Sequence, residues 1–123
     1  MRTVAFSPDG RWLAAAGEEG VVRVWDADTG KEIQRLRGHS GPVRAVAWSP
    51  PSQARRQRIA SASEDQTVKL WDVAAAHETL TLRDTPTARL SVAFSPDGSL
   101  LASGGADGQL AVWEAVRAER VRP

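Results

Sequence analysis

His39, Ser61 and Asp65 are the three side-chain types from which an activated serine nucleophile is built, and they are the first residues of this chain that could do chemistry. Little else competes with them. There is no cysteine, which excludes a disulfide framework, a thiolate zinc site and a thiol nucleophile. The two histidines, His39 and His77, have no H-x-x-x-H or H-E-x-x-H spacing, so no metal site is expected. Glu18 and Glu19 could serve as acids or ligands, but an adjacent pair in a turn reads as solvated carboxylates. Gly17 and Gly104–Gly105 precede no phosphate-binding helix. Arg55, Arg56 and Arg58, in the stretch Gln53–Arg58, bring three positive charges and no acid. That loop could grip phosphate or an acidic partner. With no aromatic in it to stack on bases, it reads better as a solvated extension. Arg117, Arg120 and Arg122 are interrupted by Glu119 and carry less weight still.

Composition narrows the classes further. Sixteen Lys and Arg face fifteen Asp and Glu in 123 residues, a net charge of +1, which weighs against a protein that coats nucleic acid or an acidic membrane. The chain is 41% hydrophobic and 25% charged, the mix of a soluble globular domain. Fourteen of the sixteen basic residues are Arg and twenty residues are Ala, a skew that reads as codon bias. The absence of Asn removes any N-glycosylation sequon. No stretch approaches the ~20 apolar residues of a membrane helix, and the N-terminus lacks the ~7–15-residue apolar core of a secretory signal. A cytoplasmic location is expected.

The elements that must position these residues recur. Ala5-Phe6-Ser7-Pro8-Asp9-Gly10 returns as Ala93-Phe94-Ser95-Pro96-Asp97-Gly98 and, shortened, as Ala47-Trp48-Ser49-Pro50. Val24-Trp25-Asp26 returns as Leu70-Trp71-Asp72 and Val112-Trp113-Glu114. Ser7 to Trp25 and Ser95 to Trp113 are both 18 residues, Ser49 to Trp71 is 22, and each Trp lies 24 before the next turn Ser. The repeat is therefore 42 residues, with four inserted after Ser49. Inside each copy the period is two: Val22 and Val24 alternate with Val21, Arg23 and Trp25, and Val68/Leu70 and Leu110/Val112 do the same. That is strand patterning with one buried face. Pro at the second position and Gly at the fourth of Ser-Pro-Asp-Gly suit a type I turn. Four strands per copy are predicted, in the first copy Thr3–Ser7, Trp12–Ala16, Val21–Asp26 and Glu32–Arg37, and no amphipathic helix.

Repeats of ~40–45 residues with four strands and a terminal Trp-Asp mark propeller blades. Through Gly38-His39, Ser61-Ala62-Ser63-Glu64-Asp65, Trp71-Asp72 and the Ser-Pro-Asp-Gly turns, the chain resembles the WD-repeat β-propeller family along nearly its whole length. The implied fold is all-β, a partial propeller of three four-stranded antiparallel blades: residues 1–42, 43–88 with the Arg-rich insertion near 50–58, and 89–123 with a truncated outer strand. The resemblance also supplies a structural role for the triad-like residues. In such blades a loop His, a second-strand Ser or Thr, a turn Asp and a third-strand Trp form a buried hydrogen-bond tetrad, here His39, Ser61, Asp65 and Trp71. Ser103, Asp107 and Trp113 form a partial set, with Thr85 in place of the His. Trp25 stands without partners, because Ala15 and Glu19 replace Ser and Asp. Copies one and three are expected to be less rigidly tied.

Three blades make an arc, whereas propellers have roughly 4–8. The expectation is a piece of a longer propeller, or a self-completing oligomer as the rival. The function implied by the resemblance is a non-enzymatic scaffold for other proteins or peptides, without cofactor or metal. Its contact rim would include Arg2, Glu18, Pro42, Arg44, Glu64, Leu90 and Ala106. Two alternatives come from other classes: a hydrolytic or small-molecule-binding propeller using its central channel, and nucleic-acid contact through the Arg55–Arg58 loop.

Overall fold

The computed structural model describes residues 2–50, 58–73, 77–83, 87–114 and 120–122, with backbone alone at 77–80 and 120–122. Twelve strands form three four-stranded antiparallel sheets, and the described residues contain no helix. The first sheet runs β1 (Thr3–Phe6), β2 (Trp12–Ala16), β3 (Val21–Asp26) and β4 (Glu32–Arg37). Its first strand stops one residue short of the predicted Ser7. The Ser7 amide still donates to the Trp12 carbonyl (2.8 Å), while its hydroxyl serves the turn, donating to Asp9 Oδ1 (2.6 Å) and accepting from the Trp12 amide (3.0 Å). The second sheet comprises β5 (Val43–Trp48), β6 (Arg58–Ser63), β7 (Val68–Asp72) and β8 (His77–Leu82). The third comprises β9 (Arg89–Phe94), β10 (Leu100–Gly105), β11 (Leu110–Glu114) and the three-residue β12 (Arg120–Arg122).

Each sheet is a meander in which strands pair in chain order. The turn serine closes the first hairpin in all three. Ser7 accepts from Trp12, Ser95 from Leu100 and Ser49 from Arg58 (each 3.0 Å), so four extra residues lengthen the second hairpin without opening it. Register shifts recur where the third strand meets the fourth, at Val24/Trp25, Leu70/Trp71 and Val112/Trp113. An irregularity at the same point of every copy re-aims the Trp side chain.

The sheets stack face to face through two apolar layers. Ala14, Ala16, Val22, Val24 and Leu36 of the first sheet meet Val46, Trp48, Ile59 and Trp71 of the second. Ala60, Ala62, Val68, Leu70 and Leu82 of the second meet Leu101, Ala111 and Trp113 of the third. Alanines on the second strands let the layers approach closely, and Trp48 Nε1 donates across the first layer to the Ala5 carbonyl (2.9 Å). The middle sheet is covered on both sides. As a result, every residue of β7 is buried, Lys69 and Asp72 included, whereas β3 alternates between buried and half-buried positions.

Candidate functional site

His39 comes from the loop between β4 and β5, Ser61 from the centre of β6, Asp65 from the turn between β6 and β7, and Trp71 from β7. The structure brings all four together. His39 Nε2 lies 2.6 Å from Ser61 Oγ and His39 Nδ1 lies 2.9 Å from Asp65 Oδ2. These are the pairings of a serine hydrolase triad, but Trp71 Nε1 also donates to Ser61 Oγ (2.8 Å). Proton bookkeeping is complete with a neutral imidazole: Nδ1–H donates to Asp65, and Nε2 accepts the Ser61 hydroxyl proton, whose oxygen in turn accepts from Trp71. Ser61 and the His39 side chain are 0% exposed, and the Asp65 side chain 7%. A nucleophile must reach a substrate carbonyl. This hydroxyl is sealed between Trp71 and His39.

Asp65 holds more of the loop than the sequence reading assigned to it. Its Oδ2 also accepts from the Ser40 amide (3.0 Å), and its Oδ1 from the amide (3.0 Å) and hydroxyl (2.5 Å) of Thr67. Burial opposes its ionisation, but the hydrogen bonds from Thr67, His39 and Ser40 outweigh it and lower the pKa from 3.8 to about 2. Ser63 adds a further tie by donating to the Gly41 and Pro42 carbonyls (3.2 and 2.8 Å).

The third sheet differs from expectation. Ser103, Asp107 and Trp113 are not joined into a partial relay among the described residues, and Thr85 lies outside them. Instead Arg89, only 1% exposed, inserts its guanidinium where the second sheet has an imidazole. Its Nε donates to Ser103 Oγ (3.1 Å) and one Nη to the Ser103 carbonyl (2.6 Å), while Ser103 Oγ donates to the Ser91 carbonyl (2.7 Å). Asp107 is exposed, and its Oδ1 accepts from the Gln109 amide within its own turn (2.9 Å). Arg89 stands six residues before the turn Ser95, the place that buried Val43 holds before Ser49. Opposite it, Gly105 replaces Ser63. A Cβ on Gly105 would lie 2.9 Å from Arg89 Nη1 and 2.8 Å from Thr87 Oγ1, so the missing side chain makes room for the arginine. Sequence reading missed this pair, although its signal was present: a cation at a position that repeat alignment marks as buried, facing a glycine.

In the first sheet Trp25 is half-buried, without the Ser and Asp partners. A cleft of about 390 Å³ in this sheet is lined by Arg2, Gly17, Glu18, Glu19, Val21 and Arg23. In the second sheet the residues at the corresponding places, Ser63, Asp65 and Thr67 among them, are covered by the loop that carries His39. Arg23 and Glu19 form an ion pair across this cleft (3.0 Å).

The rim residues share one edge of the stacked sheets. Arg2 pairs with Glu18 and Arg44 with Glu64 (2.6 Å), the same two positions in successive sheets. The third sheet carries Leu90, 38% exposed, and Ala106 at those positions. Pro42 contributes through its carbonyl, which accepts the Glu64 amide (2.9 Å). Of the basic loop, Arg55 and Arg56 lie outside the described residues. Arg58 is not a loop residue but the first of β6, opposite buried Asp72, and its guanidinium is partly desolvated. Among the described residues no group of three or more His, Asp or Glu is placed to hold a metal ion.

A repeated four-stranded meander, stacked through Ala-rich second strands and knitted by a His–Ser–Asp–Trp network, is the geometry of WD-repeat blades, and comparison of sequences decides the family. Residues 1–122 match the family model described as WDR90, 4th beta-propeller. The chain belongs to the WD-repeat β-propeller family. Its three sheets are therefore blades 1, 2 and 3 of a partial propeller. Curated relatives include the periodic tryptophan protein 2 homolog of Dictyostelium discoideum, 46% identical over 42% of this chain and 6% of that protein. The ribosome biogenesis protein erb1 of Aspergillus niger is 40% identical over 44% of this chain and 7% of that protein. A probable cytosolic iron-sulfur protein assembly protein 1 of Cryptococcus neoformans is 46% identical over 39% of this chain and 12% of that protein. The matched region is thus a small fraction of each relative.

Proposed function

We propose that the chain is a non-enzymatic scaffold that presents one rim of its blades to other proteins or peptides. The observation that supports this most is the recurrence of Arg2–Glu18 and Arg44–Glu64 on the same edge, followed by an apolar Leu90–Ala106 step. Two exposed ion pairs contribute little to stability, typically ~0–1 kcal/mol each. Their repetition at an accessible rim suits specificity for a partner of mixed charge that also inserts an apolar side chain beside Leu90. Relatives named for ribosome biogenesis and iron-sulfur protein assembly favour work within protein assemblies, and a cytoplasmic setting belongs to the same reading.

A hydrolytic role is disfavoured by the burial of Ser61 and its engagement by Trp71. His39, Ser61, Asp65 and Trp71 act on this reading as a weld between a loop and two strands. Nucleic-acid contact through Arg55 and Arg56 gains no support from Arg58, which belongs to a strand.

The test is selection of binders from a displayed peptide library on the intact chain. The selected peptides are then titrated against Leu90→Asp and against Arg44→Ala combined with Glu64→Ala. Affinity should fall at least tenfold for Leu90→Asp, with an unchanged urea midpoint. Equal binding to wild type and both variants would place the contact surface elsewhere.

A further inference from the structure

Every blade passes from its second strand to its third through a turn closed in the same way. The Gly20 amide donates to the Gly17 carbonyl (3.3 Å), the Gln66 amide to Ser63 (3.3 Å) and the Gly108 amide to Gly105 (3.0 Å). All three donor residues lie in the left-handed region, at φ 74°, 74° and 80°. Glycine enters that region freely, whereas a side chain there crowds its own backbone. Two copies accordingly hold glycine. The third holds Gln66, which is exposed and is the one non-glycine residue with positive φ among the described residues. Because the same turn closes on glycine in blades 1 and 3, the side chain of Gln66 is not needed to form it. The repeat also shows where position 66 is aimed. A Cβ on Gly20 would lie 2.9 Å from the His39 carbonyl and 3.0 Å from that of Gly41, both in the loop leading into the next blade. The counterpart place in blade 2 therefore faces the approach to blade 3 and its rim residue Leu90. Glu64, of the Arg44–Glu64 pair, stands two residues earlier in the same turn.

We propose that Gln66 is a specificity-determining residue of the rim, its carboxamide pairing with a main-chain amide of an extended peptide that runs from the Arg44–Glu64 pair toward Leu90. This rests on the scaffold reading above and names the part of the partner that the rim reads between its charged and apolar steps. A side chain kept in an unfavourable backbone conformation points to a role beyond the turn itself. A carboxamide carries both N–H donors and a carbonyl acceptor, so it matches the C=O and N–H of a peptide backbone. Neither neighbour on the rim can do this, since the Glu64 carboxylate only accepts and Leu90 does neither. Blade 1 has no room for a side chain at position 20, and blade 3 has glycine at position 108, which confines the contact to the junction of blades 2 and 3.

Peptides selected from a displayed library on the intact chain provide the probe, titrated against wild type, Gln66→Gly and Leu90→Asp. Gln66→Gly should bind about three- to tenfold more weakly, the loss expected for one hydrogen-bonding side chain. Its urea midpoint should be unchanged or higher, because relief of the left-handed side chain offsets the greater freedom of glycine in the unfolded chain. Single backbone N-methylations along a selected peptide should include one that weakens binding to wild type and leaves binding to Gln66→Gly unaltered. Unchanged affinity for Gln66→Gly alongside a loss for Leu90→Asp overturns the role of Gln66 and leaves the rim in place. Equal binding to all three proteins overturns the rim reading itself. A lowered urea midpoint for Gln66→Gly also overturns the proposal, since the side chain would then serve the fold.

Discussion

Blades 2 and 3 solve the same problem with different chemistry. Both must secure the second strand of the blade beneath a buried Trp. Blade 2 uses an imidazole, whose two ring nitrogens let His39 bridge a hydroxyl and a carboxylate at once. Blade 3 uses a guanidinium, which only donates, and so it turns to acceptors: the Ser103 hydroxyl and the Ser103 carbonyl. The consequence is a change of partner. Ser103 Oγ donates its hydrogen bond to the Ser91 carbonyl within the sheet, and the turn carboxylate Asp107 remains at the surface. Blade 2 welds a loop to a turn, whereas the bonds among the described residues of blade 3 fasten neighbouring strands of one sheet to each other.

Breaking the blade 2 arrangement should have the largest effect. His39→Ala leaves Ser61 Oγ without its imidazole and removes one donor from Asp65, each a buried group that costs ~1–3 kcal/mol when orphaned. A loss of about 2–5 kcal/mol is expected, read as a shift in the urea midpoint by Trp fluorescence. A loss below about 1 kcal/mol would mean the network is incidental to stability.

Much of this contrast was open to sequence reading, and the part that was not has a physical cause. The 42-residue period, the period-two alternation in Val21–Trp25 and the Ser-Pro-Asp-Gly turns locate the sheets, because burial of one face dictates residue choice at each alternate position. The His39–Ser61–Asp65–Trp71 set followed from family resemblance, and its spacing alone suited a triad equally well. What separates the two is the burial of Ser61 and its hydrogen bond from Trp71, neither of which spacing reveals. Arg89 escaped because a single arginine in a strand reads as solvent-facing, and its site is created by the absence of a side chain at Gly105, 16 residues away. The ion pairs Arg2–Glu18 and Arg44–Glu64 were legible as neighbours on a rim but not as partners, since pairing depends on side-chain reach.

Exchanging the two solutions sharpens the comparison. Gly105→Ser places the blade 2 residue opposite Arg89, where its Cβ would meet Arg89 Nη1, Thr87 Oγ1 and Asp107 Oδ1 at 2.8–2.9 Å. Overpacking of this kind costs typically ~1–3 kcal/mol. Adding Arg89→Val, the blade 2 residue at that position, removes the obstruction. The double variant should therefore recover at least about 1 kcal/mol relative to Gly105→Ser, a coupling measurable by a double-mutant cycle in urea. Strict additivity would show that Gly105 does not make room for the guanidinium.

Acid provides the most delicate separation, because among the described residues only blade 2 ties its turn carboxylate to the loop. Asp65 has its pKa lowered from 3.8 to about 2: burial raises it, and the hydrogen bonds from Thr67, His39 and Ser40 more than reverse that effect. A carboxyl whose folded pKa lies below its unfolded value binds protons more readily when unfolded. Its stabilising contribution is therefore complete above pH 3.8 and declines as pH falls toward 2. Allowing for screening by solvent at the turn, the contribution is about 1–2 kcal/mol. Asp65→Asn should lower the urea midpoint at pH 6 and converge with the wild type near pH 2. If the two curves instead stay parallel down to pH 2, the Asp65 anion contributes nothing to stability, and the contrast between the two blades rests on their cations alone.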